Sequence, residues 1–447
     1  MNDLKFLGAS SDIVTGSSYL LNTKSGGLLI DMGMFQGDEE LDKLNAKPLT
    51  FDPKEVHSVL LTHAHLDHVG RLAMLVKHGF KGKIYMTPAT RALAEVVMLD
   101  AAKIALNNSE EKPILYGEED VFNTMSLIKV IDYHQNFEVD GLKIHFRDAG
   151  HILGSASIMI EGDKKLVFSG DLGNSPDDIV RPTEFFEQAD LVVMESTYGD
   201  KNHPEDNPDL TIQREINAIE ESGSTLLIPS FSIERTQVLL HKINHMKADG
   251  LIKRETKVYL DGPMGIKATD IYKAFPDLYN QEMTQHYESG LPFDFPGLHI
   301  VEQAKDSKRV KKDNGPKVII AGSGMMSGGR IMSHAIDFLP DSRNRLLIVG
   351  FQAEGTAGRH ITEGAKVIKI FDKTVRVNAS VTELYSMSAH ADQKALMKWL
   401  REIKGVQKVF LTHGEKVQRD TLAEKIKNEL GLAAVEKPIL DQVFNLK

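Results

Sequence analysis

The 447-residue chain contains no cysteine. That excludes a disulfide framework, a thiolate zinc site and a thiol nucleophile. Any transition-metal site must therefore be assembled from histidine and carboxylate. The sequence also lacks an apolar run approaching the ~18–20 residues that a membrane-spanning helix needs. Residues 1–16 show no basic start followed by an apolar stretch, the pattern of a secretory signal. The cytoplasm is the expected compartment. A basic excess is missing too: 53 Lys and Arg stand against 63 Asp and Glu, a net charge of −10. This argues against a protein that coats nucleic acid non-specifically, and leaves room for a basic groove on an acidic body. What is present is a globular balance, 41% hydrophobic and 26% charged, with length for about two to three domains.

Short apolar, β-branched-rich runs closed by small or polar residues predict strands at 27–30, 59–61, 142–146, 165–168, 191–194, 384–387 and 409–411. Each runs into a residue able to bind a metal or a proton: Asp31, His63, His151, Asp171, Glu195, His390 and His413 in turn. Helical patterns lie between them, at 71–77, 88–107, 211–221, 236–247, 393–402 and 419–429. Strands alternating with helices predict a layered α/β fold. The stretch from about 200 to 355 has its own strand–helix pattern, a polar entry with two prolines and a glycine-rich exit. It reads as a domain inserted into another, giving expected divisions of 1–200, 201–355 and 356–447. The charge run 306–313 is expected to be a solvated loop.

The most informative segment is Leu61-Thr-His-Ala-His-Leu-Asp-His-Val-Gly70. Alternate residues on extended chain share a face, so His63 and His65 can converge on one ion. After a turn, Asp67 and His68 can point at another. Imidazole and carboxylate suit zinc best. The remaining ligands must come from similar strand ends, and six of the 17 histidines (His63, His65, His68, His151, His390 and His413) sit at such junctions. In layered α/β sheets that edge is where ligands gather. Asp171 is the candidate for a carboxylate bridging two ions. Two zinc ions would generate hydroxide near neutral pH and stabilise charge on a phosphoryl or carbonyl oxygen. Hydrolysis follows, but the ions alone do not choose among phosphodiester, ester and lactam.

His63-Ala-His-Leu-Asp-His68, His151 and Asp171 resemble the metal motifs of the metallo-β-lactamase superfamily, with Asp31 matching its supporting aspartate. Met194-Glu-Ser-Thr-Tyr-Gly199, Ser388-Ala-His-Ala-Asp392 and Leu411-Thr-His-Gly-Glu415 resemble the additional motifs of its β-CASP branch of nucleases. Segments 229–237, 322–330 and 350–359 resemble that branch's extra domain. The resemblance implies a four-layer αββα metallo-β-lactamase fold with an inserted α/β β-CASP domain. It implies two Zn²⁺ per chain: His63, His65 and His151 on one, Asp67, His68 and His413 on the other, Asp171 bridging. His390, Glu195 and Asp67 are the implied catalytic residues, His390 as general acid or phosphate contact oriented by Glu195. Ser388 and the arginines Arg235, Arg330 and Arg359 are the implied substrate contacts. Glu234, where a glycine commonly precedes the arginine, is expected to put negative charge near the substrate path.

Histidine at position 413 resembles RNA-acting members of the branch, where DNA-repair members carry an aliphatic residue. The chain resembles bacterial and archaeal ribonucleases similar to the endonuclease subunit of the pre-mRNA 3′-end cleavage machinery. The implied function is zinc-dependent hydrolysis of single-stranded RNA through a metal-bridging hydroxide, leaving 5′-phosphate. Cleavage can be internal or from a 5′ end, in RNA processing or decay. A homodimer is an admissible assembly. The alternatives are a hydrolase of small esters or thioesters on the same metal core, or a DNA nuclease.

Overall fold

In the structure, a computed structural model, residues 1–107, 113–290 and 292–446 are described. Two units divide the chain. The first comprises residues 1–202 and 390–447, and the second residues 203–389. Among the described residues, no helix is long and apolar enough to cross a membrane.

The first unit is built from two seven-stranded sheets. One runs Val443–Asn445, Asp3–Phe6, Tyr19–Asn22, Gly27–Ile30, Val56–Leu60, Lys83–Met86, Ile128–Val130. The other runs Val435–Glu436, Lys408–Thr412, Leu191–Glu195, Lys165–Phe168, Ala156–Glu161, Leu142–Asp148, Phe137–Val139. Leu142–Asp148 alternates buried with more exposed positions, as a strand with one face inward must. The inward faces meet in one core: Phe6, Leu21, Leu28, Ile30 and Leu60 from the first sheet pack with Ile144, Ile158, Leu166, Phe168 and Phe410 from the second. Outside the second sheet, Leu396, Trp399, Leu400, Leu422 and Ile426, on helices Gln393–Glu402 and Lys416–Leu430, cover Val167, Val192, Val409 and Leu411. Outside the first, helix Pro88–Asn107 buries Leu93, Ala94, Val97 and Met98, one face of a 3.6-residue period. The result is the expected helix–sheet–sheet–helix stack.

The parallel pairings position the chemistry. Gly27–Ile30 runs parallel to Val56–Leu60 with Ile30 opposite Leu60. Lys165–Phe168, Leu191–Glu195 and Lys408–Thr412 are mutually parallel, with Phe168 opposite Val193 and Glu195 opposite Thr412. Parallel strands in register end at one edge, so Asp31, His63, Asp171, Glu195 and His413 emerge within each sheet's carboxyl edge.

The second unit carries a six-stranded sheet in the order Leu298–Val301, Lys257–Asp261, Lys317–Ala321, Thr225–Pro229, Arg345–Ile348, Ser380–Glu383, every pairing parallel. This differs from the sequence reading at its exit. The chain rejoins the first unit at His390, not near residue 356, because Ser380–Glu383 is the edge strand of the inserted sheet. The run expected as a strand at 384–387 is a 3-10 turn, Tyr385–Met387. The charge run expected as a loop holds helix Ala304–Val310, which buries Ser307 and Val310 and pairs Asp306 with Arg309 one turn on.

Candidate metal centre

The segment after Val56–Leu60 stays extended through His65, then turns into the short helix Leu66–Val69. His63 and His65 therefore project from extended chain, and Asp67 and His68 from the first helical turn. Backbone bonds hold this loop to the chain after Gly27–Ile30: Met32 N donates to His68 O at 2.8 Å, Met34 N to Leu66 O at 3.0 Å, and Arg71 N to Met32 O at 2.8 Å. Gly33 permits that contact, since a Cβ there would lie 1.6 Å from the Asp67 carbonyl oxygen. Gly173 does the same for the His151 and Asp171 loops, where a Cβ would meet the Gly150 carbonyl oxygen at 1.6 Å.

Two sets of ligand atoms result. In the first, His65 Nδ1 lies 3.2 Å from His63 Nε2 and 3.1 Å from His151 Nε2. Asp171 Oδ2 is 3.4 Å from His63 Nε2 and 3.6 Å from His151 Nε2. In the second, His413 Nε2 is 3.2 Å from Asp67 Oδ2, and Asp171 Oδ1 is 3.2 Å from His68 Nε2 and 3.7 Å from His413 Nε2. Bonds of about 2.0–2.1 Å to a tetrahedral ion would set ligand atoms roughly 3.3–3.4 Å apart. Both sets have that spacing, and Asp171 offers one oxygen to each. Its Oδ1 is buried and accepts no hydrogen bond, as an atom reserved for a cation would. The donor set therefore fits two divalent ions.

The imidazoles are backed from behind. Asp31 Oδ2 lies 2.8 Å from His68 Nδ1, and Asp31 accepts from the Thr62 amide and hydroxyl, each at 2.8 Å. With its proton committed to Asp31, the Thr62 hydroxyl oxygen can accept from His63 Nδ1 at 3.0 Å. The Thr197 hydroxyl, which donates to the His413 carbonyl at 3.1 Å, likewise faces His413 Nδ1 at 3.0 Å. Each Nδ1 so engaged as a donor leaves Nε2 a lone pair toward the centre. Asp31 and His413 both sit in the left-handed backbone region, at φ 57° and 52°. Such strain costs about 1–3 kcal/mol and persists where surroundings over-determine it. Here the Asp31 N–H donates to Leu60 O and the His413 N–H to Ala9 O.

Charge in the cluster is strongly polarised. Burial, then His68, lowers the His63 pKa. Burial and His63 push His65 down to about 3, and burial and His390 hold His151 well below its ordinary value. On the other side, burial opposes charge on His68 and His413, but Asp171 outweighs it. Helped by Asp31, it holds His68 well above the usual range; helped by Asp67, it raises His413 to about 9. Burial likewise opposes charge on Asp171, and His413, His68 and His63 overcome it, keeping the carboxyl well below the usual carboxylate range.

His390 borders the first set, its ring centroid 4.6 Å from that of His151. An antiparallel bridge to Gly173 fixes its backbone. Its Nδ1 faces Glu195 Oε1 at 3.3 Å. Glu195 is itself held by the amides of Leu172 (2.7 Å) and Thr197 (3.2 Å). Burial disfavours the imidazolium of His390, but Glu195 prevails and raises its pKa.

All of the expected metal ligands, with Asp31, Glu195 and His390, thus converge in the first unit. The expected substrate contacts lie in the second. Ser388 is buried just before the return to the first unit. Arg235 is buried at the start of helix Arg235–Ala248. Arg359 pairs with Glu363 at 2.6 Å. Arg330 is engaged by Asp261 (2.5 Å), the Val301 carbonyl (2.7 Å) and the Glu302 carbonyl, a set that builds the unit itself. Glu234 corrects its expectation: only 1% exposed, it accepts from the Tyr272 hydroxyl and so faces the interior. Thr62 and Thr197 escaped the sequence reading, although each lies within a quoted motif, one and two residues from the candidates His63 and Glu195.

Comparison with known proteins agrees with this geometry. Residues 12–215 match the metallo-beta-lactamase superfamily, 236–361 the Beta-Casp domain, and 374–438 the Zn-dependent metallo-hydrolase RNA specificity domain. The chain is 38% identical to Ribonuclease TTHA0252 of Thermus thermophilus, over 90% of its own length and 91% of the relative's. It is 32% identical to an RNase J-like protein of Methanocaldococcus jannaschii, covering 95% of both. RNase aCSPSF2 of Saccharolobus solfataricus is 30% identical over 97% of this chain and 83% of that protein. A crystal structure of a protein of unknown function from Enterococcus faecalis V583 superposes with a TM-score of 0.55 at 12% identity, covering both chains fully, a likeness of fold. The chain belongs to the metallo-β-lactamase superfamily, in its β-CASP branch, and is a metal-dependent hydrolase of that family.

Proposed function

We propose that the chain is a ribonuclease that hydrolyses phosphodiester bonds of single-stranded RNA with two zinc ions, leaving 5′-phosphate ends. The observation that carries the reading is Asp171, whose two buried oxygens face separate ligand sets at 3.2–3.7 Å, in a chain that matches an RNA specificity domain. When bound, such a pair of ions supplies an activated water at neutral pH and compensates charge on a phosphate. His63, His65 and His151 would hold one ion and Asp67, His68 and His413 the other, with Asp171 shared. Asp31, Thr62 and Thr197 orient these imidazoles.

His390 is the proposed general acid. Glu195 stabilises the imidazolium by accepting a hydrogen bond from Nδ1–H, which leaves Nε2–H to serve the departing 3′ oxygen. Glu195 acts through His390 as a positioning residue, and the Leu172 and Thr197 amides keep its carboxylate in place. Ser388, Arg235 and Arg359 are proposed phosphate contacts, arginine forks being suited to phosphate oxygens; the partners of Arg330 favour a structural role instead.

The test is one gel assay. Matched 5′-labelled single-stranded RNA and DNA are incubated with zinc-loaded protein, its chelated form and Asp67→Asn. RNA-preferring cleavage that needs metal and is lost in the variant is expected. The band pattern separates internal from 5′-terminal attack. Cleavage of neither polymer by a zinc-loaded chain would overturn the reading in favour of a small-ester hydrolase.

A further inference from the structure

A second histidine cluster, sharing no residue with the first, lies in the inserted unit. His241 and His245 stand one helical turn apart on Arg235–Ala248, and His286 lies on the short helix Gln281–Ser289. One ring nitrogen from each falls within 4.8 Å of the other two. The ring centroids are 4.5 Å apart for His241 and His245, 4.2 Å for His245 and His286, and 5.3 Å for His241 and His286.

Core packing alone does not explain this arrangement. His241 is 5% exposed, and its Nδ1 is a buried polar atom with no hydrogen-bond partner. Native interiors rarely leave such an atom unsatisfied. Packed imidazoles also repel once charged, and two of the rings are held toward the neutral form: burial, then His245 and His286, brings His241 down to about 3, and burial and His286 lower His245. Neutral imidazoles are the form that ligates. Among the charges around His245, Asp249, Glu282 and Asp209 favour a cation. The opposing Lys242 beside His241 is paired with Asp209 at 2.8 Å.

We propose that His241, His245 and His286 form a third metal site, which takes a divalent ion of the zinc class and clamps helix Gln281–Ser289 to helix Arg235–Ala248. Three imidazoles with no carboxylate select zinc, cobalt, nickel or copper over magnesium or calcium. His245 and His286 are half-buried, so their rings have room to turn onto the ion and a solvent ligand can complete a four-coordinate shell. The clamp has structural work to do. Among the described side chains of Gln281–Ser289 only Met283 is buried, so apolar packing holds this helix thinly.

The experiment measures metal per chain on the full-length protein after zinc loading and desalting. His245→Gln and His286→Gln should each carry one equivalent less than the parent. A second arm leaves the cluster intact: a chain with His63→Ala, Asp67→Asn and His413→Ala is titrated with Co²⁺ and read by visible absorption. It should bind one equivalent with the intense bands of four-coordinate cobalt, and those bands should vanish when His245→Gln is added. Chelation should lower the melting temperature of the triple variant by several degrees, and of the quadruple variant not at all. Equal zinc in the parent and both single variants, or no cobalt bands in the triple variant, overturns the proposal.

Discussion

Among the described residues the molecule holds two histidine clusters that resemble one another in spacing and differ in the groups that complete them. In the first unit the imidazoles arrive from three strand ends and share the buried carboxylate of Asp171, and three of them, His63, His68 and His413, are backed by Thr62, Asp31 and Thr197. In the second unit, two helices supply three rings and no carboxylate belongs to the set. Backing groups fix tautomer and orientation and tune a ligand's basicity. The shared carboxylate separates the first cluster, the centre of a hydrolase, from the second, for which fastening two helices is proposed. The number of histidines does not.

The sharpest way to break the comparison is to remove a ligand from the first cluster. Asp67→Asn or His68→Ala should abolish RNA cleavage in the gel assay and lower bound zinc, and undiminished turnover would dismiss the two-ion arrangement. His390→Ala comes next, with cleavage slowed roughly 10²–10⁴-fold, the usual scale for a lost general acid. Its zinc content should match the parent's, and a shortfall would make His390 a ligand. Asp31→Ala tests the backing itself. Metal affinity, measured by chelator competition, should fall about 10–100-fold. In the same titration any zinc held by the second cluster, a set without a carboxylate, should leave the parent protein first.

The smallest effect contrasts buried carboxyls with and without cationic neighbours. Asp171 is held well below its ordinary pKa by imidazoles, whereas burial pushes Asp148 up to about 7, the Gly150 amide opposing and Glu184 assisting. Between pH ~4 and ~7 the folded chain therefore holds more protons at Asp148 than the unfolded chain, and stability falls as pH rises through that window. Asp148→Asn keeps an acceptor for the Gly150 amide and removes the titration. Its melting temperature relative to the parent should climb from pH 5 to pH 8, and a constant difference would show that Asp148 is not the group responsible.

The first cluster was largely legible because its residues directly follow short apolar runs, and parallel pairing turns that local pattern into a shared edge. Asp31 and Glu195 were legible through the same rule. Thr62 and Thr197 were hidden because a threonine hydroxyl carries no signal until the fold brings a histidine Nδ1 to it, for Thr197 that of His413, 216 residues away. The exit of the insertion was misplaced since Ser380–Glu383, a short edge strand with partly exposed residues, is weakly apolar, while the apolar residues after it, Leu384 and Met387, are buried around a turn. The run 306–313 was misread because its charges disguise the buried spacing of Ser307 and Val310. In the second cluster, His241 and His245 show helical spacing in the sequence, but His286 is brought to them only by the packing of a separate helix.

The interruption of the first unit by the second has a consequence for the order in which the centre is made. Under the proposed assignment, a ribosome that has synthesised the first 202 residues has delivered His63, His65, His151 and Asp171, a full set for one ion, together with Asp67 and His68. His390 and His413 are encoded beyond the insertion. At about 5–20 residues per second the intervening stretch takes roughly 10–40 s to translate. For that interval, under the same assignment, the nascent chain has neither its second ion site complete nor its general acid.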